Sequence, residues 1–239
     1  MSNKGICLDL DNTLYDYNVA HRPALEASLS WLSKLLNRER QAVQTAYSQA
    51  RKRVNHDLHG LASSHSRLLY FQGVCEYFGV SPYETAIAAE DFYWQKFFEN
   101  MQLRPGVLEF FQSMSMKSRP IVIVTDLTTR IQFQKITHLQ LAPVLQAIVT
   151  SEEAGHEKPH PRIFELAAAK LQLQPEDICM IGDSWERDIE GALKFGMHCF
   201  WFREELQNLA KGPSHPEHVL ELVTEFNDFY LLPQLMESK

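Results

Sequence analysis

The chain has 239 residues, with 23 Lys plus Arg against 30 Asp plus Glu, a formal net charge of −7. Its 45% hydrophobic and 22% charged residues are ordinary globular proportions, which excludes an intrinsically disordered chain and a coiled coil. The acidic balance argues against a nucleic-acid polymer as partner, since that calls for a basic face.

The opening MSNKGICLDL has no charged stretch followed by an apolar run, so no secretory signal is read there. No apolar run approaches the ~20 residues of a membrane span, so no membrane partner is expected. Cys7, Cys75, Cys179 and Cys199 are far apart and form no CxxC pair. They are expected as buried free thiols, which fits a reducing cytoplasm.

In chain order, five short apolar runs read as strands: Gly5 to Leu10, Ile121 to Thr125, Ala147 to Thr150, Ile178 to Ile181 and His198 to Phe202. Their continuous apolarity suits strands buried on both faces of a parallel sheet. Helical patterns alternate with them. One is capped by Thr128 or Thr129 and runs to about Leu139; one opens at Pro161 and reaches Leu171; one runs from about Arg187 to Gly196. Alternation of this kind predicts an α/β fold with a doubly wound parallel sheet. A last helix is expected at about Pro216 to Leu232.

Between the first two strands the pattern changes. Residues 15–104 contain no convincing strand and read as four helices, an insert too long and too patterned for a loop. Pro23 is read at a helix start and Asn37 as opening the second helix. Leu68, Phe71, Cys75 and Phe78 mark a third. Ser81-Pro82-Tyr83-Glu84 reads as a capping box opening the fourth. The predicted organisation is therefore a core of residues 1–14 and 105–239 carrying a helical insert at 15–104. The insert holds ten basic and nine acidic residues, so the net negative charge belongs entirely to the core.

Three predicted strands end in acids: the first runs through Asp9 into Asp11, the second into Thr125-Asp126, and the fourth into Gly182-Asp183. Ligands bind outside the carboxyl ends of strands in such sheets, so these residues should meet in one crevice. Carboxylates gathered there raise one another's pKa unless a cation joins them. An oxygen-only donor set suits Mg²⁺. Asp9 and Asp11, two residues apart, project to the same side and can divide the work of nucleophile and acid/base. Lys158, in the loop Gly155 to Pro161, can add positive charge, and Thr125 offers a hydroxyl beside backbone N–H groups that can cradle an anion.

Asp9-Leu-Asp11-Asn-Thr13, Thr125-Asp126, Lys158-Pro159 and Gly182-Asp183-Ser184-Trp-Glu-Arg-Asp188, in that order, resemble the four motifs of the haloacid dehalogenase superfamily. The insert resembles that family's C1-type helical cap. The resemblance implies a Mg²⁺-dependent phosphatase of small phosphorylated metabolites, such as nucleotides or sugar phosphates, acting as a monomer or homodimer. It implies that Asp9 attacks phosphorus to form an aspartyl-phosphate and that Asp11 serves as acid and then base. Thr125 and Lys158 would bind the phosphoryl group. The metal ligands would be the Asp9 carboxylate, the Asp11 carbonyl and Asp183, with Asp188 orienting Asp183 or water. The family's second motif commonly has Asn where this chain has Asp126. Only the backbone of Asp126 is expected to face substrate, its side chain bracing the turn. A phosphomutase, a metal-independent 2-haloacid dehalogenase and a non-enzymatic phosphate-binding module are the alternatives.

Outside these motifs, Thr13 is expected to shape its loop, and Tyr15 and Tyr17 are candidates for lining a substrate pocket. His56 with His59, His215 with His218, and Arg51-Lys52-Arg53 are expected on solvated faces.

Overall fold

The computed structural model describes residues 4–204 and 222–238. The chain folds as two compact units, Met1–Tyr15 with Leu103–Lys239, and Asp16–Gln102.

The first unit is built on six parallel strands: β1 (Gly5–Leu8), β2 (Ile121–Thr125), β3 (Ala147–Thr150), β4 (Ile178–Gly182), β5 (His198–Phe202) and β6 (Val223–Phe226), in spatial order β3-β2-β1-β4-β5-β6. Strand order reverses between β1 and β4, which puts the ligand-binding crevice of such sheets at their carboxyl ends. Both sheet faces are dry. Cys7, Val122, Val124 and Met180 pack with Ile163, Phe164, Ala167 and Ile189 on one side. The alternate residues Ile6, Leu8, Ile123 and Ile181 are fully buried as well.

The helices of this unit are α5 (Val107–Met116), α6 (Thr129–His138), the short α7 (Ser151–Ala154), α8 (Pro161–Leu171), α9 (Glu190–Lys194) and α10 (Leu232–Leu235). Gly106 precedes α5 at φ 81°, and a Cβ there would lie 2.7 Å from the Tyr230 nitrogen, so both conformation and space select glycine.

One strand expectation and one helix expectation change. β1 stops at Leu8, so Asp9 and Leu10 lie beyond the ladder. The last helix expected at 216–232 is not what the described part shows: Val223–Phe226 pairs with β5 as β6. Residues 216–221 of that expectation lie outside the described residues, as do His215 and His218.

The second unit contains α1 (Tyr17–Leu35), α2 (Arg40–Asp57), α3 (Arg67–Tyr77) and α4 (Pro82–Glu99). Its core is aromatic, with Tyr47, Tyr70, Phe71, Tyr93 and Phe97 buried. Asp16 caps α1 by accepting from the backbone N–H groups of Asn18 and Val19. Pro23 lies inside α1 rather than at its start. Asn37 does not open α2; at φ 52° it takes the left-handed turn after α1 that asparagine tolerates. Ser81 makes no side-chain cap bond, so α4 begins on Pro82 without the predicted capping box. Arg51, Lys52 and Arg53 are solvent-facing as expected.

Candidate active site

Asp9 is the first residue beyond β1, and its N–H donates to the Ile181 carbonyl at 2.9 Å, which holds it against β4. The residue as a whole is 5% exposed. Lys158 Nζ donates to Asp9 Oδ1 at 2.6 Å, and the Thr13 hydroxyl donates to Asp9 Oδ2 at 2.7 Å. Lys158 is itself buried. Its Nζ also donates to Asp188 Oδ1 at 2.6 Å and to the Val124 carbonyl at 3.0 Å, so one ammonium joins the ends of β1, β2 and the turn after β4.

Thr13 does more than shape a loop. It also reaches Asp183 Oδ1 at 3.3 Å, linking the first and last motifs. Asp183 follows β4, and its carbonyl accepts from Trp201 Nε1 at 2.9 Å. After Asp183 the chain makes one wide π-helical turn, Trp185–Ile189, which carries Asp188 back under the site. There Asp188 Oδ2 accepts from the Ser184 N–H at 3.0 Å.

Ligand atoms of Asp9, Asp183 and Asp188 lie within 4.8 Å of one another. Lys158 pairs with two of these three acids, and all three offer hard oxygens, a set that could hold a divalent cation. The electrostatics say the same. Burial pushes Asp9 up to about 7, with Asp188 and Asp11 adding to the shift and Lys158 opposing it. Burial, then the Asp9 charge, pushes Asp183 up to about 7. Asp188 is raised by burial and by Asp183. Burial disfavours the Lys158 charge, but Asp188, Asp9 and Asp126 together hold the ammonium well above its ordinary range.

Asp11 has different surroundings. Lys135 Nζ donates to its two oxygens at 2.7 and 2.8 Å, Gln132 Nε2 to Oδ2 at 3.2 Å, and the Tyr15 hydroxyl to Oδ1. Burial would raise its pKa, yet Lys135 and these hydrogen bonds bring it below the ordinary value. Asp9 and Asp11 are thus pushed in opposite directions two residues apart.

Thr125 is buried, and its hydroxyl accepts from Gln132 Nε2 at 2.7 Å. Asp126 Oδ1 accepts the Lys158 N–H at 2.9 Å, and Oδ2 lies 3.3 Å from an Arg187 nitrogen. Its side chain braces the turns of the second, third and fourth motifs. Leu127 adopts φ 94°, a conformation that costs a non-glycine residue about 1–2 kcal/mol. Its N–H bonds to Ser151 Oγ at 2.9 Å, which fixes the turn.

Asp9, Thr13, Lys158, Asp183 and Asp188 thus form one hydrogen-bonded group, and Asp11 and Thr125 are joined through Gln132. Tyr15 is buried against Asp11 and lines no open surface; Tyr17 belongs to the helical unit. Gln132 and Lys135 were missed. Their signal was positional: they share a face of α6 with Ile131 and Ile136, where polar side chains must find buried partners.

Residues 3–196 match the model of the haloacid dehalogenase-like hydrolase family. The chain belongs to this family. Among relatives of this haloacid dehalogenase-like hydrolase is a ribulose-1,5-bisphosphate 5-phosphatase of Halopiger xanaduensis, 35% identical over 232 residues, covering 93% of this chain and 97% of the relative. A glyceraldehyde 3-phosphate phosphatase of Methanothermobacter thermautotrophicus is 24% identical over 98% of this chain and 99% of its own. The fold matches that of a 2-haloacid dehalogenase from Pseudomonas syringae with a TM-score of 0.77 at 20% identity, covering 100% and 99% of the two chains.

Proposed function

We propose that this hydrolase is a Mg²⁺-dependent phosphatase of a small phosphorylated metabolite, working through an aspartyl-phosphate on Asp9. The observation that carries this reading is Asp9 itself: a buried carboxylate fixed by Lys158 and Thr13, with the separately held carboxylate of Asp11 two residues away.

In the first half-reaction an Asp9 oxygen attacks phosphorus and the bond to the leaving oxygen breaks. Asp11, which Lys135 holds ionised in the free site, must take up a proton as the anionic substrate binds, and it then gives that proton to the leaving oxygen. In the second half Asp11, now a carboxylate, takes a proton from water as the water attacks phosphorus, releasing phosphate and restoring Asp9. The Lys158 ammonium and the Thr125 hydroxyl stabilise charge on the phosphoryl oxygens, the kind of contact whose loss costs about 3–4 kcal/mol of transition-state stabilisation. The Asp126 backbone faces the phosphoryl group, while its side chain stays with Lys158 and Arg187.

The Asp9 and Asp183 carboxylates, with the Asp11 carbonyl, would hold Mg²⁺, and Asp188 stays paired with Lys158. When bound, the cation keeps Asp9 ionised and offsets charge on phosphorus. Burial raises the Asp9 pKa, so a cation beside it would favour the ionised, attacking form.

Residues 16–102 are inserted between the first and second motifs, and on this reading they are the cap. The full-length relatives named for ribulose-1,5-bisphosphate and glyceraldehyde 3-phosphate favour a sugar phosphate or phosphorylated triose as substrate. The fold match to a haloacid dehalogenase does not shift the chemistry, because a halide-releasing enzyme has no use for the Asp11 acid/base or for the acidic cluster. Four buried free cysteines accord with a cytoplasmic enzyme. Among the described residues no helix is long and apolar enough to cross a membrane.

The test is phosphate release over a panel of sugar phosphates, nucleoside monophosphates and phosphoserine, with and without Mg²⁺. Mg²⁺-dependent release from at least one supports the reading. Halide release from a 2-haloacid without metal, and no phosphate release, would replace it.

A further inference from the structure

Lys135 is a residue that no motif of the site contains. Its side chain is wholly buried on α6, and burying an ammonium costs several kcal/mol unless a partner repays it. The partner is the Asp11 carboxylate, both of whose oxygens it contacts, at 2.7 and 2.8 Å. One turn earlier on the same helix, Gln132 Nε2 reaches Asp11 Oδ2, and it also donates to Thr125 Oγ1 and to the Asp126 carbonyl. The Tyr15 hydroxyl approaches from a third side. Asp11 nevertheless keeps 28% of its side chain exposed, so the carboxylate is clamped on one side and open on another.

An aspartate on an extended segment can swing about two torsions, and proton transfer to a leaving oxygen tolerates little misplacement. We propose that Lys135 is a positioning residue for Asp11: it fixes the carboxylate's orientation, and so the proton transfers at the leaving oxygen and at the attacking water. The inference rests on the reading of Asp11 as the acid/base. Lys135 acts through Asp11, while Gln132 holds Thr125 and Asp11 in common register.

The test uses the full-length Mg²⁺-loaded enzyme and two phosphomonoesters, an aryl phosphate with a good leaving phenolate and an alkyl phosphate with a poor leaving alkoxide. Transfer to Asp9, which kcat/KM reports, needs help from an acid only with the second, whereas hydrolysis of the aspartyl-phosphate is common to both and needs Asp11 as base. Lys135→Met should lower kcat/KM on the alkyl ester about 10–100-fold, with a much smaller loss of kcat/KM on the aryl ester. Lys135→Arg should recover part of the loss, and Lys135→Met added to Asp11→Asn should cost no further rate. If Lys135→Met does not fold, Lys135→Arg carries the test, with a smaller loss of kcat/KM still confined to the alkyl ester. Equal losses of kcat/KM on both esters, or additive losses in the double variant, would overturn the role of Lys135 and leave Asp11 as acid/base. Should Asp11→Asn itself lower kcat/KM on both esters alike, the acid/base reading fails, and the inference with it.

Discussion

A Cβ at position 182 would fall 2.5 Å from the carboxyl carbon of Asp188, so the backbone of Gly182 and the Asp188 carboxyl group occupy touching space. Strand β4 ends on this glycine so that an acid can pass behind it to Lys158. Gly182→Ala should push Asp188 from the ammonium, destabilising the fold by about 1–3 kcal/mol as overpacking does. Turnover should drop with it. Denaturant unfolding and phosphate-release assays measure both; an alanine variant with unchanged stability would show that the site yields easily.

Lys158 balances Asp9 and Asp188 at 2.6 Å each. Removing one partner of a buried ion group costs about 3–5 kcal/mol, because the remaining charges are left uncompensated. Lys158→Met should therefore unfold at clearly lower denaturant and lose on the order of 10²–10³ in kcat. Adding Asp188→Asn to Lys158→Met removes one orphaned charge and should restore part of the stability but none of the activity.

Stability should depend on pH and Mg²⁺ together. Asp9 and Asp183 are pushed up to about 7, above the ordinary 3.8, so the folded chain binds their protons more tightly than the unfolded chain. Their contribution to stability is full below the ordinary value and is lost as pH rises through about 7. A cation binding the ionised pair reverses that loss. Mg²⁺ should thus raise Tm more at pH 8 than at pH 5, as read by calorimetry with and without chelator. Equal increments at both pH values would contradict the cluster as its site.

Much of the sheet unit is legible in the sequence because buried parallel strands are unbroken apolar runs. β2, β3 and β5 fall where those runs lie, and the acids at strand ends meet as topology requires. β6 is not legible: Val223-Thr-Glu-Phe226 alternates weakly and becomes a strand only through pairing with β5. The capping box at Ser81 fails because local pattern does not guarantee side-chain geometry. In the site, residues lying in motifs are visible and those reaching in from helices are not. Lys135 and Gln132 look like ordinary helix-surface residues until α6 is docked. Arg67 is the same case in the helical unit, buried on α3 and expected by no pattern.

The Arg67 guanidinium lies 5.4–5.7 Å from the ring centres of Tyr70, Tyr93 and Trp94, and donates to the Tyr17 hydroxyl and the His65 carbonyl. A planar, weakly hydrated cation suits that aromatic setting and a lysine does not. Arg67→Lys should destabilise the protein by about 1–3 kcal/mol in denaturant unfolding despite the conserved charge. An unchanged midpoint would show that charge alone suffices there.

Asp9 as the nucleophile is the step on which the proposed chemistry depends. The rate of phosphate release from Asp9→Asn with Mg²⁺ present, on the best substrate of the wild-type chain, tests it. The substitution keeps the side chain's size and leaves Lys158, Thr13 and Asp183 in place. The variant should fold, and its release should fall by on the order of 10⁴ or more. A folded Asp9→Asn protein that still releases phosphate at a rate near wild type would contradict it.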